Sequence, residues 1–131
     1  MNNIGKGLSV KYLCKYIKQL FIKFVMEKFR VFRSKHYKNK LFNLDKSEQD
    51  RVMKFEQNLK EQLFSGKPLG YKFFREKRFG GKRVLFLVYE ENKCIFLVTI
   101  TGKKAQQNEI NLIKANLDVY KNELKELLDK I

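Results

Sequence analysis

The sequence predicts an α+β fold with a short N-terminal strand, two helices, an antiparallel sheet of about four strands and a C-terminal helix. Two changes in apolar spacing support this prediction: a helical period gives way to alternation at Tyr71, and the helical period returns after Gly102. The chain has 131 residues, of which 44% are apolar and 14% aromatic. This composition is sufficient for one domain with a buried core.

Residues 10–25 have the spacing of an extra amphipathic helix, with lysines between the apolar positions. The apolar stripe consists of Val10, Leu13, Ile17, Leu20 and Phe24. The segment is too short and too charged to span a membrane, so we expect it either to dock on the domain or to lie on a membrane surface. Because Met26 is an alternative start, we divide the chain into an extension, 1–26, and a domain, 27–131.

The next segments predict one strand and two helices. Polar and apolar residues alternate in Lys28–Ser34, which predicts a short strand. Ser34 is the expected N-cap of the first helix. Asp45, with Glu48 three residues later, predicts a capping box at the start of the second helix. We expect that helix to end at the Ser-Gly pair of residues 65 and 66.

Residues 71–101 predict a three-stranded antiparallel meander. The strands are expected at Tyr71–Phe79, Arg83–Tyr89 and Cys94–Thr101, with turns at Gly80-Gly81 and at 90–93. The second and third strands contain uninterrupted apolar runs, which indicate that both faces of the sheet are covered. Residues 104–131 predict one helix with a heptad stripe that packs on this sheet or on a partner helix.

The net charge of +15 indicates a polyanionic partner, such as nucleic acid, an anionic membrane or an acidic protein. The charge is not spread evenly, as a general bias in composition would spread it. Residues 1–43 hold 11 basic and 1 acidic residue, and residues 67–104 hold 10 basic and 3 acidic residues. The two other segments are close to neutral, so the basic segments are the expected contact regions.

Histidine and cysteine are too scarce for the common metal sites. His36 is the single histidine, which excludes HExxH zinc sites and Cys/His zinc fingers. Cys14 and Cys94 are far apart in the sequence and have no metal-binding spacing. We therefore expect no metal, no cofactor and the free thiols of a cytoplasmic protein.

Four short motifs accompany this order of elements. They are Leu44-Asp45-Lys46-Ser47-Glu48-Gln49, Gly66-Lys67-Pro68-Leu69, Gly81-Lys82-Arg83-Val84-Leu85-Phe86 and Gly102-Lys103-Lys104. With these motifs in this order, residues 27–115 resemble the RelE/ParE superfamily of toxins from type II toxin–antitoxin systems. The resemblance implies a RelE-like fold.

The ribonucleases of that superfamily are mRNA interferases, so the resemblance implies an endoribonuclease that cleaves mRNA on the ribosome without a metal ion. In that reaction the RNA 2′-hydroxyl attacks the neighbouring phosphate, and lysine and arginine supply the acid, the base and the stabilising charge. The implied partners are mRNA, the ribosome and an acidic antitoxin protein.

The resemblance also implies a set of site residues on the basic strands. The catalytic candidates are Arg83, Lys104, Arg75 and Lys77, and the candidates for binding RNA phosphates are Lys72, Arg78, Lys82 and Lys103. Strand alternation places Arg75 and Lys77 on one face and Arg78 on the other. Arg83 joins the first pair only if the strand register allows it.

One position departs from the superfamily pattern. Ile110 stands six residues after Lys104, where a tyrosine is expected. This departure favours an alternative function: a non-cleaving or gyrase-inhibiting ParE-like toxin, or a catalytically inactive binding homologue. A basic nucleic-acid-binding protein unrelated to toxins would account for the charge but not for the order of the elements.

Overall fold

The computed structural model describes residues 14–20 and 29–131. Residues 14–20 form a helix in which every side chain is exposed. The flanking parts of the predicted segment 10–25 lie outside the described residues, as does the predicted boundary between extension and domain. Within the described ranges, no helix is long and apolar enough to cross a bilayer.

The domain has its strands and helices in the predicted order. The elements are β1 (Arg30–Arg33), α1 (Lys35–Phe42), α2 (Lys46–Leu59), β2 (Lys67–Pro68), β3 (Phe74–Phe79), β4 (Lys82–Tyr89), β5 (Cys94–Gly102), α3 (Gln106–Ala115) and α4 (Leu117–Asp129). The predicted α+β class is confirmed.

The sheet has five strands in the order β1-β5-β4-β3-β2. This corrects the prediction of about four antiparallel strands in two respects. β1 pairs in parallel with β5, because two helices and the meander separate these strands and no hairpin forces an antiparallel pair. The additional strand, β2, has two residues, and it lies at the edge, where the missing backbone donor of Pro68 is tolerated.

The two predicted N-caps are confirmed. The hydroxyl of Ser34 accepts a hydrogen bond from the backbone N–H of Tyr37 at 2.9 Å and donates one to the Val98 carbonyl of β5 at 2.7 Å. Asp45 accepts from the N–H of Glu48 at 2.8 Å, and the Glu48 side chain accepts from the N–H of Asp45. Each cap contributes about 1 kcal/mol, and the Ser34 cap also attaches α1 to the sheet.

Three predicted boundaries are wrong. β3 begins at Phe74, because the backbone N–H of Phe74 turns back to the carbonyl of Tyr71. α2 ends at Leu59, after which the chain turns towards β2. The C-terminal helix is split into α3 and α4 at Asn116, whose backbone has φ −127° and ψ 31° and whose side chain donates to the Leu112 carbonyl. The heptad stripe therefore does not lie on one straight helix.

Both faces of the sheet are covered, as the apolar runs predicted. α1 and α2 cover one face, where Phe55, Val84 and Phe86 belong to the core. α3 and α4 cover the other face, where Leu85 and Phe96 belong to the core. Full burial of one such side chain contributes about 1.5–3 kcal/mol. We refer to these surfaces as the α1–α2 face and the α3–α4 face.

The α1–α2 layer also contains a buried carboxylate with a complete set of partners. Glu56 accepts two hydrogen bonds from Arg33, at 3.1 and 2.6 Å, and one from the Tyr37 hydroxyl at 2.6 Å. Burial and the adjacent Glu56 charge raise the pKa of Tyr37, and the hydrogen bond to Glu56 raises the pKa of Arg33. Because these groups satisfy one another, the network is structural.

Candidate phosphate-binding cleft

The β3–β4 hairpin brings two arginines together on the α3–α4 face. Arg78 is the direct cross-strand partner of Arg83, and directly paired residues of neighbouring strands project from the same face. Glu76 lies two residues before Arg78 and projects from that face as well, opposite Leu85 of the α3–α4 core. Two cations and one carboxylate therefore meet near the tip of the hairpin.

Arg83 and Glu76 form a buried ion pair. Nε of Arg83 lies 3.1 Å from Oε1 of Glu76, and the two side chains are only 6% and 7% exposed. Gln106, in the first turn of α3, donates to the same oxygen at 2.7 Å. The hydrogen bond that Arg83 donates is a long one, 3.5 Å from Nη1 to the Gly81 carbonyl. Since a guanidinium has five N–H donors, part of the Arg83 capacity remains for a ligand.

The second carboxylate oxygen of Glu76 differs from every oxygen of Glu56. Oε2 of Glu76 is buried and has no hydrogen-bond partner among the described residues, whereas both oxygens of Glu56 accept hydrogen bonds. An unsatisfied buried acceptor costs about 1–3 kcal/mol, and more when it is charged. Such an atom in a native protein needs an explanation, such as strain, a bound water or ion, or a catalytic role.

The ion pair forms part of the wall of an open cleft of about 460 Å³, which we name the Arg83 cleft. Its lining consists of Gly66, Lys67, Glu76, Lys77, Arg78, Arg83 and Gln106. Four cations thus surround one carboxylate, and the resulting field favours anions. Guanidinium and amide donors match the oxygens of a phosphate group. The cleft can therefore hold a phosphate beside the carboxylate of Glu76.

Arg78 and Arg83 repel each other, and Glu76 compensates for only one of them. Like charges directly opposite each other in a sheet destabilise it, by about 0.2–1 kcal/mol for pairs of this kind. Glu76 is paired with Arg83, and Arg78 is exposed and forms no salt bridge with any described residue. A bound phosphate would supply the missing negative charge.

Solved structures share this arrangement of sheet and helices. A double arginine-to-alanine mutant of E. coli toxin RelE in the free state matches with a TM-score of 0.54, covering 63% of this chain and 90% of that chain at 16% sequence identity. RelE in the archaeal RelE–RelB complex from Pyrococcus horikoshii OT3 matches with a TM-score of 0.51, covering 57% and 94% at 22% identity. The fold is RelE-like.

A third RelE-like match is the same E. coli mutant in complex with an antitoxin RelBc peptide. Its TM-score is 0.52, and the match covers 62% of this chain and 93% of that chain at 11% identity. No protein-family model matches the sequence, and no curated protein matches it either. The likeness therefore establishes the RelE-like fold, and the site has to be judged from its own geometry.

The RelE-like fold brings three of the eight predicted site residues into the Arg83 cleft. These are Arg83, Arg78 and Lys77. Lys103 and Lys104 are exposed in the turn between β5 and α3, three and two residues before Gln106 of the cleft. The structure thus groups these five residues at one end of the sheet, and their individual roles stay predictions.

Arg75 belongs to the opposite side of the sheet. It pairs with Phe86 across the strands, and Lys77 pairs with Val84, both of the α1–α2 core. Arg75 and Lys77 thus share a face, as predicted, but the register does not allow Arg83 to join them. The condition under which Arg83 would join this pair is therefore not met, although Lys77 still lines the Arg83 cleft.

Every guanidinium nitrogen of Arg75 donates a hydrogen bond to the backbone. The side chain donates to the carbonyls of Ser65, Gly66 and Lys72 at 3.0–3.1 Å and is buried. These bonds fix the loop that leads into β3, so the geometry indicates a structural role and not the expected catalytic one. Lys72 itself is exposed, with Nζ 4.6 Å from the centre of the Phe64 ring.

Lys82 also lies away from the Arg83 cleft. Its cross-strand partner is Phe79, which packs against the α1–α2 core. Paired residues share a face, so Lys82 projects from the side opposite Arg83. Lys82 and Arg83 are neighbours in one strand, and neighbouring side chains of a strand project from opposite faces. A ligand in the Arg83 cleft would have to reach around the hairpin to make the predicted phosphate contact with Lys82.

Four residues of the cleft were not predicted as site residues from the sequence: Gly66, Lys67, Glu76 and Gln106. Glu76 was detectable, because it is the one acid in a basic strand and lies two residues before Arg78. The sequence did not indicate that Gln106 and Lys67 lie at the cleft, because only the packing of α3 and the pairing of β2 bring them there.

Ile110 is buried at 6% exposure in the α3–α4 core and does not line the cleft. Among the described residues, no tyrosine or histidine lines the cleft, so a base cannot stack there on a tyrosine ring. Across residues 14–20 and 29–131, no group of three His, Cys, Asp or Glu side chains could hold a metal ion.

A second large cleft, of about 430 Å³, lies at the other end of β4. Glu90, Glu91 and Asp118 line it, with Lys121 as the only cation among its lining residues, all of them described. This acidic lining disfavours phosphate. The charges therefore favour the Arg83 cleft as the candidate site.

Proposed function

We propose that the chain is the toxin of a type II toxin–antitoxin pair and that it cleaves mRNA as a metal-independent endoribonuclease in the cytoplasm. The RelE-like fold supports the toxin assignment. The cleavage assignment depends on one observation: Glu76, whose Oε2 has no hydrogen-bond partner among the described residues, lines a cationic cleft together with Arg83. A carboxylate base next to guanidinium groups is an arrangement suited to RNA phosphodiester cleavage.

In the proposed reaction, Oε2 of Glu76 accepts the proton of an RNA 2′-hydroxyl. The 2′-oxygen forms a bond to the adjacent phosphorus, and the bond from phosphorus to the 5′-oxygen breaks. Arg83 and Arg78 stabilise the charge on the non-bridging oxygens, and a cleft lysine, Lys67 or Lys77, donates a proton to the leaving 5′-oxygen. The products are a 2′,3′-cyclic phosphate and a 5′-hydroxyl end.

The test is induction of the chain in bacteria, followed by mapping of 5′-hydroxyl ends in mRNA with and without ribosomes. Arg78→Ala and Arg83→Lys are suitable variants, since Arg78 is exposed and Arg83→Lys keeps a charge beside Glu76. Lys40→Ala, at an exposed position on α1, is the control. We expect new ends with the wild type and the control and a loss of at least about tenfold in both variants. Equal cleavage by all four proteins would refute this site.

We further propose an acidic antitoxin as the protein partner. The charge of +15 gives an acidic chain a long-range attraction, and a segment bound over the Arg83 cleft would exclude RNA. Co-expression of a small acidic protein encoded beside this gene should restore growth. Purification should yield a complex whose dissociation is faster at high salt. Growth arrest that persists on co-expression with that protein would exclude it as the antitoxin.

The second candidate function is inhibition without RNA cleavage. The burial of Ile110 favours it, because no tyrosine ring is available beside the cleft. In that case induction arrests growth without new mRNA ends, and the purified chain inhibits DNA supercoiling by gyrase. Unimpaired supercoiling together with new 5′-hydroxyl ends would exclude this alternative.

A further inference from the structure

A second basic groove lies between α2 and β3, on the opposite face of the β3–β4 hairpin from Arg83. We name it the α2 groove; its volume is about 260 Å³. Its lining includes Arg51, Lys54, Asn58, Gln62, Lys77 and Phe79. Every residue of this lining lies in the described range, and no aspartate or glutamate is among them.

The α2 groove adjoins the Arg83 cleft at the edge of the sheet. Lys77 lines both sites. The consecutive residues Ser65 and Gly66 line the α2 groove and the Arg83 cleft, respectively. A flexible polymer bound in the Arg83 cleft can therefore pass Lys77 and enter the α2 groove without leaving the protein surface.

The chemistry of the groove matches single-stranded nucleic acid. Arg51, Lys54 and Lys77 form no salt bridge with any described residue, so their charges are available to phosphates. The side-chain amides of Asn58 and Gln62 can both donate and accept hydrogen bonds, as base edges require. Phe79 is half-buried and lines the groove together with these cations. Basic grooves that combine cations with aromatic rings are typical of single-strand binding.

We propose that the α2 groove is a second RNA-binding subsite, which holds the backbone of single-stranded RNA next to the segment bound in the Arg83 cleft. Arg51 and Lys54 contact phosphates in the groove, and Lys77 contacts the phosphate between the two sites. The identity of the ligand as RNA rests on the proposed function. The position of the subsite depends only on the groove and on its continuity with the cleft.

The experiment measures binding of a fluorescent 12-nucleotide RNA with 2′-O-methyl groups, which cannot be cleaved, over a series of salt concentrations. The test variant is Arg51→Glu/Lys54→Glu, at two exposed positions of α2. The control is Lys38→Glu/Lys40→Glu, which makes the same change of charge at exposed positions of α1 in the same helical layer. Arg51→Gln/Lys54→Gln is a second test variant in case charge reversal disturbs folding, which circular dichroism detects.

We expect the groove variant to bind about tenfold more weakly at moderate salt and to lower the salt slope by about 1–1.5, as the loss of two phosphate contacts predicts. The control variant should lose much less affinity for RNA. Equal losses of RNA affinity in the groove variant and the control variant would refute the proposed subsite, because they would show a general effect of charge. The RNA assignment is wrong if the groove variant loses binding to an acidic peptide and keeps its affinity for RNA.

Cleavage of a trinucleotide, a substrate much shorter than the 12-nucleotide RNA, separates this inference from the proposed function. If the wild type cleaves no RNA while the groove variant still loses RNA binding, the proposed function fails and the subsite stands. If the groove variant cleaves the trinucleotide at the wild-type rate and binds the long RNA as tightly as the control, the subsite alone is refuted.

Discussion

Gly66 packs against the backbone of Glu76 so closely that a Cβ at position 66 would overlap the Glu76 carbonyl oxygen. Gly66 also has a φ of +81°, a conformation that side chains with a Cβ disfavour. Because Gly66 lines the Arg83 cleft and Glu76 supplies its carboxylate, this contact joins the shape of the cleft to the pairing of β2 with β3. Glycine is therefore required at position 66 for two reasons: its backbone has a positive φ, and the Glu76 carbonyl leaves no space for a Cβ.

Gly66→Ala should therefore lower the free energy of unfolding by about 2–4 kcal/mol, through backbone strain and displacement of β2. Gly80→Ala is the matched control. Its φ of +56° imposes similar backbone strain, but no atom lies within 4 Å of the added Cβ, so we expect a loss of only about 1–2 kcal/mol. Urea unfolding measures both values. Equal losses in the two variants would show that the structure relieves the overlap with Glu76 without any further decrease in the free energy of unfolding.

Glu76→Gln should separate RNA binding from cleavage. The substitution keeps the shape of the side chain but removes the base and one negative charge from a cationic cleft. We expect cleavage to fall by about 10²-fold or more, which is typical for loss of a general base. Affinity for an uncleavable RNA should rise, because the negative charge of Glu76 then no longer offsets the positive charges of Arg78 and Arg83. A parallel fall of binding and cleavage would assign Glu76 to positioning Arg83 only.

Arg75→Ala should affect stability and leave the chemistry intact. It removes the donors of three backbone carbonyls, which predicts a loss of about 2–4 kcal/mol in the free energy of unfolding. Arg75→Lys should restore little of it, because an ammonium cannot reproduce the planar fork that spans three acceptors. Cleavage per folded molecule should match the wild type at a temperature where the variant stays folded. A lower rate under that condition would return Arg75 to the catalytic set.

The sequence predicted those parts of the fold that depend on local spacing and local hydrogen bonds. The caps at Ser34 and Asp45 are local, and so are the alternating strands on either side of Gly80. The parallel pairing of β1 with β5 is not local, since it depends on which edge of the sheet remains free after the meander forms. The two-residue strand β2 also depends on non-local pairing, and it is too short to show a sequence pattern. The break at Asn116 was not predicted because the apolar stripe continues regularly across it.

The candidate site was predictable only in part, because it depends on register. Arg83 lines the basic cleft, but the residues expected beside it were chosen by their charge. The register pairs it with Arg78 and places Arg75 on the other face. The carboxylate of Glu76 was overlooked since a lone acid among basic residues reads as a compensating charge. Only the structure reveals that one of its two oxygens has no hydrogen-bond partner among the described residues.

The half-buried Glu123 of α4 predicts a specific dependence of stability on pH. Burial raises the pKa of Glu123 above its ordinary value of 4.5, with a further increase from Glu126 and an opposing effect of Lys35 and His36. A raised carboxyl pKa favours folding while the group is protonated, and this contribution is lost as pH rises above 4.5. Glu123→Gln should therefore be more stable than the wild type at pH 7, by about 0.5 kcal/mol or less because solvent screens the group.

Urea unfolding at pH 4 and pH 7 tests this relationship for Glu123. The difference between Glu123→Gln and the wild type should nearly vanish at pH 4, where the carboxyl is protonated and resembles the amide. A difference of the same size at both pH values would mean that shape or hydrogen bonding, and not ionisation, determines the effect. Glu126→Gln is a useful companion variant, since removal of its charge should lower the pKa of Glu123.

Ile110→Tyr tests whether the tyrosine expected after Lys104 could act in this chain. Ile110 packs in the α3–α4 core at 6% exposure, so a larger ring with a hydroxyl overpacks that core. We expect the free energy of unfolding to fall by about 1–3 kcal/mol and cleavage to show no gain, because position 110 does not line the Arg83 cleft. Leu112→Tyr, at an exposed position of the same helix, should be close to neutral and controls for the ring itself. Increased cleavage by Ile110→Tyr alone would show that α3 can turn this position towards the cleft, and it would make the native isoleucine the reason for any low activity of the wild type.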